Sequence, residues 1–495
     1  MLPAIVLVLT LAFFVTQWMW SKRAIKLPPG PRALPLIGHF HLLGRIPQIS
    51  LYHLSKKFGP LMYLRLGSAP LIVISSPAMA REFLKTHDAA FARRPPRVAV
   101  DILMYKFKSL SYSEGEYHKN IRRMCSMELF TARRVTSFTK IIRDELWDLT
   151  AELAKASKAG QPVALRGKLR SLSFNVMTRI LMNKTYFGSK ASSDDPQARE
   201  FVGVIDEVMD AAGAFSIADY FPSVGWLDWS IARCRRAHQR MDAFLDKVLN
   251  EQRPGEIPDF VEMTKARVDG PEQAQYLKAL LMDLLLGGSE TSSTVVEWAM
   301  AELLHNPEWM EKLQQEIESV VGRDRMVEES DLAKLELVNA VIKETFRLHP
   351  PLSLMVPHTS PEPRLVAGFE IPAKATVLIN TYAIGRDSQA WPNDPDKFKP
   401  GRFVGSNINV YGHDFELLPF GSGRRGCPGL PLGLRNVQLV LSNLIHGFDW
   451  RFRDGATRKL SFDSGPGFIN IIADAVVAQV SPRLEQCAFG TLAAS

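Results

Sequence analysis

The chain has 495 residues, of which 46% are hydrophobic and 23% are charged, a balance typical of a globular protein with a large core. The formal net charge of +8 is modest and compatible with an anionic membrane surface or an acidic protein partner. Because no nucleic-acid-binding module accompanies that charge, we expect no nucleic-acid partner. The cysteines are few, scattered and never spaced as C-x-x-C, which argues against a disulfide framework and a zinc site: Cys125, Cys234, Cys427 and Cys487.

The start of the chain predicts a membrane anchor. Residues 3–20 carry no charge and are long enough to cross a bilayer as one helix. Two tryptophans near the end of this run fall where an interfacial aromatic belt would lie, and basic residues follow. Since positive flanks stay in the cytosol, we expect residues 1–21 to span the membrane once, with the rest of the chain on the cytosolic side. The alternative is a cleaved signal peptide, but a basic n-region and a small-residue cleavage site are missing.

A basic and proline-rich segment, residues 22–34, follows the anchor. Its run Pro28-Pro29-Gly30-Pro31 stiffens the backbone and prevents helix continuation. We expect this segment to be a hinge that sets the globular part against the membrane. The alternative is an ordinary loop.

Beyond the hinge, the pattern is mainly helical with a small β-rich part. Residues 61–75 predict a β-hairpin that turns at Gly67–Pro70, and short strand-like runs return at 365–380 and 460–480. The chain shows no internal repeat and no low-complexity tract. We therefore expect one large catalytic domain over residues 35–482 and a C-terminal tail over residues 483–495.

The longest apolar helix candidate after the anchor covers residues 275–305. It is apolar nearly all round, which is typical of a core helix, but Gly287 and Gly288 interrupt it. Such glycines cost about 1 kcal/mol each relative to alanine, so we expect either a close approach to the backbone or a local opening of the helix. Glu290 and Thr291 would supply an acid and a hydroxyl relay there. The alternative is a kinked core helix with a solvated glutamate.

A glycine-rich stretch near the C-terminus, Pro419–Gly429, carries Cys427 beside two arginines and just before a predicted helix. Glycines let a loop approach a large flat ligand closely. Backbone N–H groups at a helix start and arginine charge lower a thiol pKa, so we expect a thiolate ligand that suits haem iron. One alternative is a surface turn with a structural cysteine. Another is a dinucleotide-binding G-x-G-x-x-G loop, but the later acid and the uninterrupted helix start are missing.

These stretches resemble the cytochrome P-450 family. Its haem-binding pattern F-x-x-G-x-R-x-C-x-G is matched at Phe420, Gly423, Arg425, Cys427 and Gly429. Its oxygen-activation pattern (A/G)-G-x-(D/E)-T-(T/S) is matched over residues 287–292. The resemblance extends over residues 28–482. Within the family, these stretches are similar to the microsomal plant type. It implies the P-450 fold, which is mainly α with a small β-rich part, and a single N-terminal transmembrane helix.

The resemblance also implies a buried ion pair. Glu344 and Arg347 match the family's E-x-x-R pattern, and Arg402 matches the third charge that joins this pair. Gly401 stands where the family commonly has an acid. Without the resemblance, an exposed i, i+3 pair would be the simpler interpretation.

The resemblance also implies a haem b cofactor. Cys427 would be the axial ligand, and Phe420 and Gly429 would surround it in the loop. Residues 117–123 resemble the family's W-R-x-x-R-K helix, although His118 replaces the tryptophan and Lys119 replaces the first arginine. The implied donors to the haem propionates are Arg425, His358, Arg122 and His118. For Arg122 and His118 the alternative is a solvated helix face.

The resemblance implies a microsomal monooxygenase. One atom of O₂ would enter a small apolar substrate and the other would leave as water, with Glu290 and Thr291 delivering protons. Electrons would come from NADPH through NADPH-cytochrome P-450 reductase at the endoplasmic reticulum membrane. An acidic reductase would be attracted by a basic face formed by Lys119, Arg122, Arg123, Arg133, Arg134 and Arg435.

The substrate is the least constrained part of the interpretation. The pattern is similar to plant phenylpropanoid and flavonoid hydroxylases, which favours hydroxylation of such a compound. A terpenoid or fatty-acid substrate, an oxygen-independent isomerase or dehydratase, and a non-catalytic membrane-tethered haem-binding protein are the alternatives. By resemblance, the pocket would include Val98, Phe215, Phe221, Leu352, Leu354, Met355, Val356, Phe468 and Ile469.

Overall fold

The structure is a computed structural model that describes residues 26–188, 196–251, 259–266, 270, 272–452, 464–465 and 467–485. The predicted anchor, residues 1–21, lies outside the described residues, as do parts of the predicted hinge and tail. Within the described ranges, no helix has the length and apolar character needed to cross a membrane.

Helices make up most of the described chain. Short 3₁₀ turns and one π-helical turn, Glu82–Thr86, connect some of them. In chain order the α-helices are α1 Pro47–Phe58, α2 Pro77–Arg81, α3 Asp88–Phe91, α4 Val98–Leu103, α5 Gly115–Glu128, α6 Ala132–Lys158, α7 Leu165–Met182, α8 Pro196–Gly213, α9 Ile217–Tyr220, α10 Ser230–Asn250, α11 Phe260–Lys265, α12 Gln273–His305, α13 Pro307–Val321, α14 Glu336–Leu348, α15 Thr381–Ile384 and α16 Leu430–Gly447.

The strands form three small sheets. The predicted hairpin is confirmed, with an antiparallel register from Leu61 opposite Ile74 to Leu66 opposite Ala69. The strands are β1 Leu61–Leu66, β2 Ala69–Ile74, β3 Val163–Ala164, β4 Arg364–Val366, β5 Phe369–Ile371, β6 Thr376–Ile379, β7 Phe448–Phe452 and β8 Val477–Pro482. Strand β6, from far along the chain, joins the hairpin in parallel. The second sheet has the order β3-β8-β7, and the third pairs β4 with β5.

Helix α12 is the central element of the core. Its apolar residues are buried on every side over most of its 33 residues, which explains why the sequence shows no polar face. It packs against α7 and α16. The helix ends where Asn306 leaves helical geometry, and Pro307 opens the next helix at a position where proline is favoured. This packing places the middle of α12 beside the start of α16, which follows Cys427.

Candidate functional site

The cysteine loop is shaped by two glycines. Gly421 and Gly423 have φ angles of 69° and 68°, in the left-handed region that favours glycine. A β-carbon at Gly423 would lie 2.6 Å from the Leu84 carbonyl oxygen and 2.6 Å from an Asp88 carboxylate oxygen, so no other residue fits there without movement. The loop then closes as the Cys427 N–H donates to the Phe420 carbonyl over 2.8 Å. The geometry places the thiol at the entrance to α16.

The electrostatics of Cys427 correct one expectation. Burial raises the pKa of its thiol, and the N–H groups of Gly429 and Leu430 together with the Arg122 guanidinium lower it only in part. The expected net fall in the thiol pKa is therefore wrong for the protein alone, because desolvation of a thiolate outweighs these interactions. The side chain is nevertheless solvent-accessible although protein surrounds it closely. Its sulfur thus faces a cleft inside the molecule.

Helix α12 lies next to the cysteine loop. A β-carbon built at Gly433 would lie 3.8 Å from the Phe420 ring and 3.9 Å from Ser292 Oγ. On the neighbouring residue, Thr291 Oγ1 donates to the Gly287 carbonyl over 2.8 Å. Gly287 is exposed in a mostly buried helix, and no atom lies within 4 Å of the place of its missing β-carbon, so this turn of α12 has open space beside it.

The two glycines of α12 differ in their surroundings. A β-carbon at Gly288 would lie 2.5 Å from Met177 Sδ on α7, whereas one at Gly287 would meet no atom within 4 Å. The helix remains continuous from Gln273 to His305. Of the two expectations, the close approach therefore holds at Gly288, and the local opening of the helix does not occur.

Glu290 faces α7 rather than the hydroxyl of Thr291. Its Oε1 accepts a hydrogen bond from Arg170 Nε, and Arg170 also pairs with Asp206 of α8. Burial raises the pKa of Glu290, while the Arg170 charge lowers it in part. Adjacent residues on an α-helix are about 100° apart around its axis, so the structure does not bring these two predicted catalytic side chains into contact.

Arg425 is the centre of a cationic cluster beside the loop. Its Nε donates to the Ala92 carbonyl over 2.6 Å and its Nη2 to the Ser113 carbonyl over 2.7 Å. Burial lowers the pKa of this guanidinium to about 10. Its Nη1 is buried and has no hydrogen-bond partner, which leaves one charged donor available.

The structure places the other three predicted propionate donors around the same cluster. Burial, together with the charges of Arg425, Arg122 and Arg94, lowers the pKa of His118 to about 4. Burial, together with Arg94 and Arg425, lowers the pKa of His358 to about 3, although its Nδ1 lies 2.9 Å from the Phe91 carbonyl. Both histidines are therefore neutral near pH 7 in the protein alone. The position of His118 is buried rather than on a solvated helix face.

Sequence reasoning missed Arg94. This buried arginine donates from Nη1 to the Val356 and Pro357 carbonyls over 2.7 and 2.8 Å, and from Nε to the Ser111 carbonyl over 3.1 Å. Burial, reinforced by the charge of Arg425, lowers its pKa to about 9. No sequence pattern distinguishes it from its exposed neighbour Arg93, because only the tertiary fold decides which of the two points inward.

The structure brings Glu344, Arg347 and Arg402 together. Arg347 donates to both carboxylate oxygens of Glu344 over 2.7 and 2.8 Å, and both side chains are fully buried. Arg402 Nε donates to Glu344 Oε1 over 3.0 Å. Arg347 also donates to the Lys397 carbonyl over 2.9 Å. The carboxylate and both guanidinium groups share one network, as a buried charge pair requires, and Gly401 takes no part in it.

Two of the predicted pocket residues, Phe215 and Phe221, pack against other aromatic side chains. Phe215 stacks on Tyr220 with 5.2 Å between ring centroids and meets Phe40 edge-on at 5.3 Å. Phe221 also packs against Phe40, at 5.9 Å, and its ring covers Gly67. These aromatic contacts fasten the 215–221 segment to Phe40 and to the turn of the hairpin at Gly67.

The residues around the cleft fit the haem that the sequence resemblance implies. Cys427 offers one sulfur, and within the described ranges no cluster of three His, Cys, Asp or Glu side chains could hold a metal instead. The guanidinium groups of Arg94 and Arg425 donate hydrogen bonds only to backbone carbonyls. Their positive charge and the unpaired Arg425 Nη1 are suited to the carboxylates of a propionate-bearing macrocycle.

Comparison with known proteins agrees with this geometry. The family model described as cytochrome P450 matches residues 28–476. A flavonoid 3'-monooxygenase of Petunia hybrida is 38% identical, with 97% of this chain and 96% of the relative covered. A phenylacetaldehyde oxime monooxygenase of Prunus mume is 36% identical, with 88% of this chain and 85% of the relative covered.

A solved structure supports the same assignment. A zebrafish cytochrome P450 with progesterone superposes with a TM-score of 0.75 at 25% identity, over 88% of this chain and 99% of that one. The described chain is mainly helical with small sheets, as predicted for this fold. Sequence and structure together show that the chain belongs to the cytochrome P450 family and is one of its monooxygenases.

Proposed function

We propose that this monooxygenase hydroxylates a flavonoid or a related phenylpropanoid. The observation that carries the proposal is the similarity to flavonoid 3'-monooxygenases along almost the whole chain, including a 37% identical relative from Arabidopsis thaliana that covers 94% of it. The relative that acts on phenylacetaldehyde oxime supports an aromatic substrate as well. A terpenoid or a fatty acid is the remaining alternative, and the experiment below separates it.

Within this proposal, the Cys427 sulfur would hold the iron of a haem b, and Phe420 and Gly429 would surround that sulfur in the loop. When bound, the haem supplies the oxygen chemistry, and electron donation from a thiolate favours cleavage of the O–O bond. Arg425, His358, Arg122 and His118 would hold the haem propionates, and Arg94 would join them. Glu344, Arg347 and Arg402 have a structural role, because their network fastens the segment before the cysteine loop to α14.

The proton path would use two neighbouring positions on α12. Thr291 would hold a proton on its hydroxyl, which donates to the Gly287 carbonyl beside the open space at that turn of α12. Glu290 would be the acid of this path, with a pKa raised by burial, but its carboxylate is turned toward Arg170, so that bond would have to open before Glu290 could pass a proton toward Thr291. Arg170 holds Glu290 in its present orientation.

The cellular setting is also proposed. Residues 1–21 would anchor the chain in the endoplasmic reticulum membrane, residues 22–34 would be the hinge, residues 35–482 would form the catalytic domain in the cytosol, and residues 483–495 would be a tail. Exposed apolar side chains agree with a nearby bilayer: Leu36, Trp226 and Trp229 are 84%, 80% and 73% exposed. Their segments are linked by the contact of Phe40 with Tyr220. NADPH-cytochrome P-450 reductase would supply the electrons.

The test is turnover by the full-length chain in microsomes with NADPH and the reductase. Naringenin would represent the flavonoids, cinnamic acid the phenylpropanoids, geraniol the terpenoids and lauric acid the fatty acids. We expect an O₂-dependent hydroxylated product from naringenin or cinnamic acid. A product from geraniol or lauric acid alone would overturn the aromatic assignment. Turnover without O₂ and NADPH would instead support an isomerase or dehydratase.

A further inference from the structure

Asn470 joins three separate segments of the chain. It is only 3% exposed. Its backbone N–H donates to the Pro351 carbonyl over 2.8 Å, and its Nδ2 donates to the Pro350 carbonyl over 3.2 Å. Its own carbonyl accepts a hydrogen bond from Trp298 Nε1 over 2.7 Å. One residue thus connects the turn at 467–472, the segment that follows α14, and helix α12.

The attachment to α12 lies close to the functional face. Trp298 follows Thr291 by seven residues, which is about two helical turns and returns to the same face. Its ring is held in place because it stacks on His349 at 3.9 Å with an interplanar angle of 5°. His349 Nε2 in turn lies 2.7 Å from a carboxylate oxygen of Glu302. Trp298 is therefore a fixed point from which Asn470 is positioned.

The other attachment leads to the cationic cluster. Pro350 and Pro351 begin the segment that reaches Val356 and Pro357, whose carbonyls accept from Arg94, and then His358. On the other side, Phe468 and Ile469 directly precede Asn470. Asn470 thus joins the segment that begins at Pro350 to the 467–472 turn.

The side chain of Asn470 adds little to the free energy of unfolding. Its Oδ1 is buried and has no hydrogen-bond partner. A buried acceptor without a partner costs about 1–3 kcal/mol, which offsets much of the gain from the Nδ2 bond. A role in positioning accounts for a residue that stability alone would not favour.

We propose that Asn470 is a positioning residue for the substrate. It holds the 467–472 turn and the 350–358 segment against the Thr291 face of α12, and so sets how an aromatic ring lies in the cleft that Cys427 faces. The inference rests on the proposed haem site, but it does not depend on which aromatic compound is the substrate.

The test uses two variants that break the junction at different bonds. Asn470→Ala removes the Nδ2 donor, and Trp298→Phe removes the Nε1 donor while keeping a ring to stack on His349. The probes are imidazole, which binds haem iron and extends little beyond it, and 4-phenylimidazole, whose phenyl ring reaches the cleft walls. We expect both variants to change the Kd of 4-phenylimidazole about fivefold to tenfold and that of imidazole less than about twofold, measured by optical titration.

Asn443→Ala is the matched control. Asn443 is 1% exposed, and its Nδ2 donates to the Val327 and Leu439 carbonyls over 3.1 and 2.9 Å. It lies in the second half of α16, so we expect a lower melting temperature with an unchanged ratio of the two Kd values.

Several outcomes separate this inference from the proposed function. A wild-type ratio in both Asn470→Ala and Trp298→Phe would overturn the positioning role. If Asn470→Ala fails to bind haem, the ratio in Trp298→Phe decides in the same way. A shifted ratio in Asn443→Ala would also contradict the inference, since the effect would then be a general loss of stability. A wild-type protein that binds neither imidazole nor 4-phenylimidazole would overturn the haem site itself. Failure of naringenin turnover would contradict the proposed substrate but not the positioning role of Asn470.

Discussion

Arg93 and Arg94 are adjacent in the chain, but their surroundings differ. The Arg93 side chain is 59% exposed and approaches Glu114 at 3.7 Å, whereas Arg94 is buried and donates to three carbonyls. Removing the Arg94 side chain leaves those part-buried carbonyls without this donor, and a fully buried acceptor without a partner costs about 1–3 kcal/mol. We expect Arg94→Ala to lower the melting temperature and the haem content strongly. Arg93→Ala, the matched control, should change the free energy of unfolding by less than about 0.5 kcal/mol, and equal losses in both variants would contradict this assignment.

Burial of His446 makes the folded protein less stable in acid. Burial lowers its pKa, and its Nε2 bond of 3.1 Å to the Arg325 carbonyl opposes that effect only in part. In the unfolded chain the pKa returns to about 6.5, so below that pH the unfolded state binds more protons and stability falls as the pH falls. We expect His446→Gln, which can still donate to this carbonyl, to lose less stability than wild type between about pH 7.5 and pH 5.5. Equal losses of unfolding free energy in His446→Gln and in wild type, measured by denaturant unfolding at both pH values, would contradict this.

The difference between predictable and unpredictable residues is physical. Cys427 and Arg425 could be found because a glycine-rich turn before a helix requires particular residue types at fixed spacing. Arg94 could not, because its role depends on carbonyls more than 250 positions away in the sequence. The direction of the Cys427 pKa shift was also out of reach, since burial sets it and burial is a property of the fold.

At the scale of single elements, the two glycines of α12 give a matched pair. A β-carbon at Gly288 would overlap Met177, whereas one at Gly287 enters open space. We expect Gly287→Ala to stabilise the protein by about 1 kcal/mol through helix propensity. Gly288→Ala should instead destabilise it by about 1–3 kcal/mol through overpacking.

A third variant checks the cause. Adding Met177→Ala to Gly288→Ala should recover part of that loss, as measured by a double-mutant cycle of unfolding free energies. No coupling between the two positions would show that the contact with Met177 is not the reason for the glycine.

Elements with a local pattern were predictable, and their partners were not. The apolar run at 275–305 matches α12, and alternation located the hairpin of β1 and β2. The pairing of β2 with β6 joins residues about 300 positions apart, and no local pattern encodes such a register. The packing of Phe215 and Phe221 against Phe40 was not predictable for a similar reason: an apolar residue does not reveal which apolar surface it will cover.

For the whole molecule, the predicted basic face becomes smaller once ion pairs are considered. Arg435 pairs with Glu329, and Lys119 lies 2.9 Å from Glu116. Arg122 is half-buried, and its charge interacts with Cys427. The expected face for a reductase therefore depends mainly on Arg123 and Arg133.

Arg133 and Arg134 allow this surface to be tested. Arg133 is exposed and makes no ion pair within the described ranges, whereas Arg134 lies 3.1 Å from Glu128. We expect Arg133→Gln to slow reduction by the reductase severalfold at low salt, with a smaller effect of Arg134→Gln, because rim charges act mainly on association rates. Stopped-flow reduction measured against ionic strength tests this, and an unchanged rate and salt dependence in Arg133→Gln would exclude it from the docking face.

The most direct test of the whole account is the carbon monoxide difference spectrum of the reduced protein. We predict that wild type shows the long-wavelength band of thiolate-ligated haem. Cys427→His should retain haem through the cluster of Arg94, Arg425 and His358 but show the shorter-wavelength band of imidazole ligation. The same band in both proteins, or no haem in wild type, would contradict the assignment of Cys427 as the axial ligand.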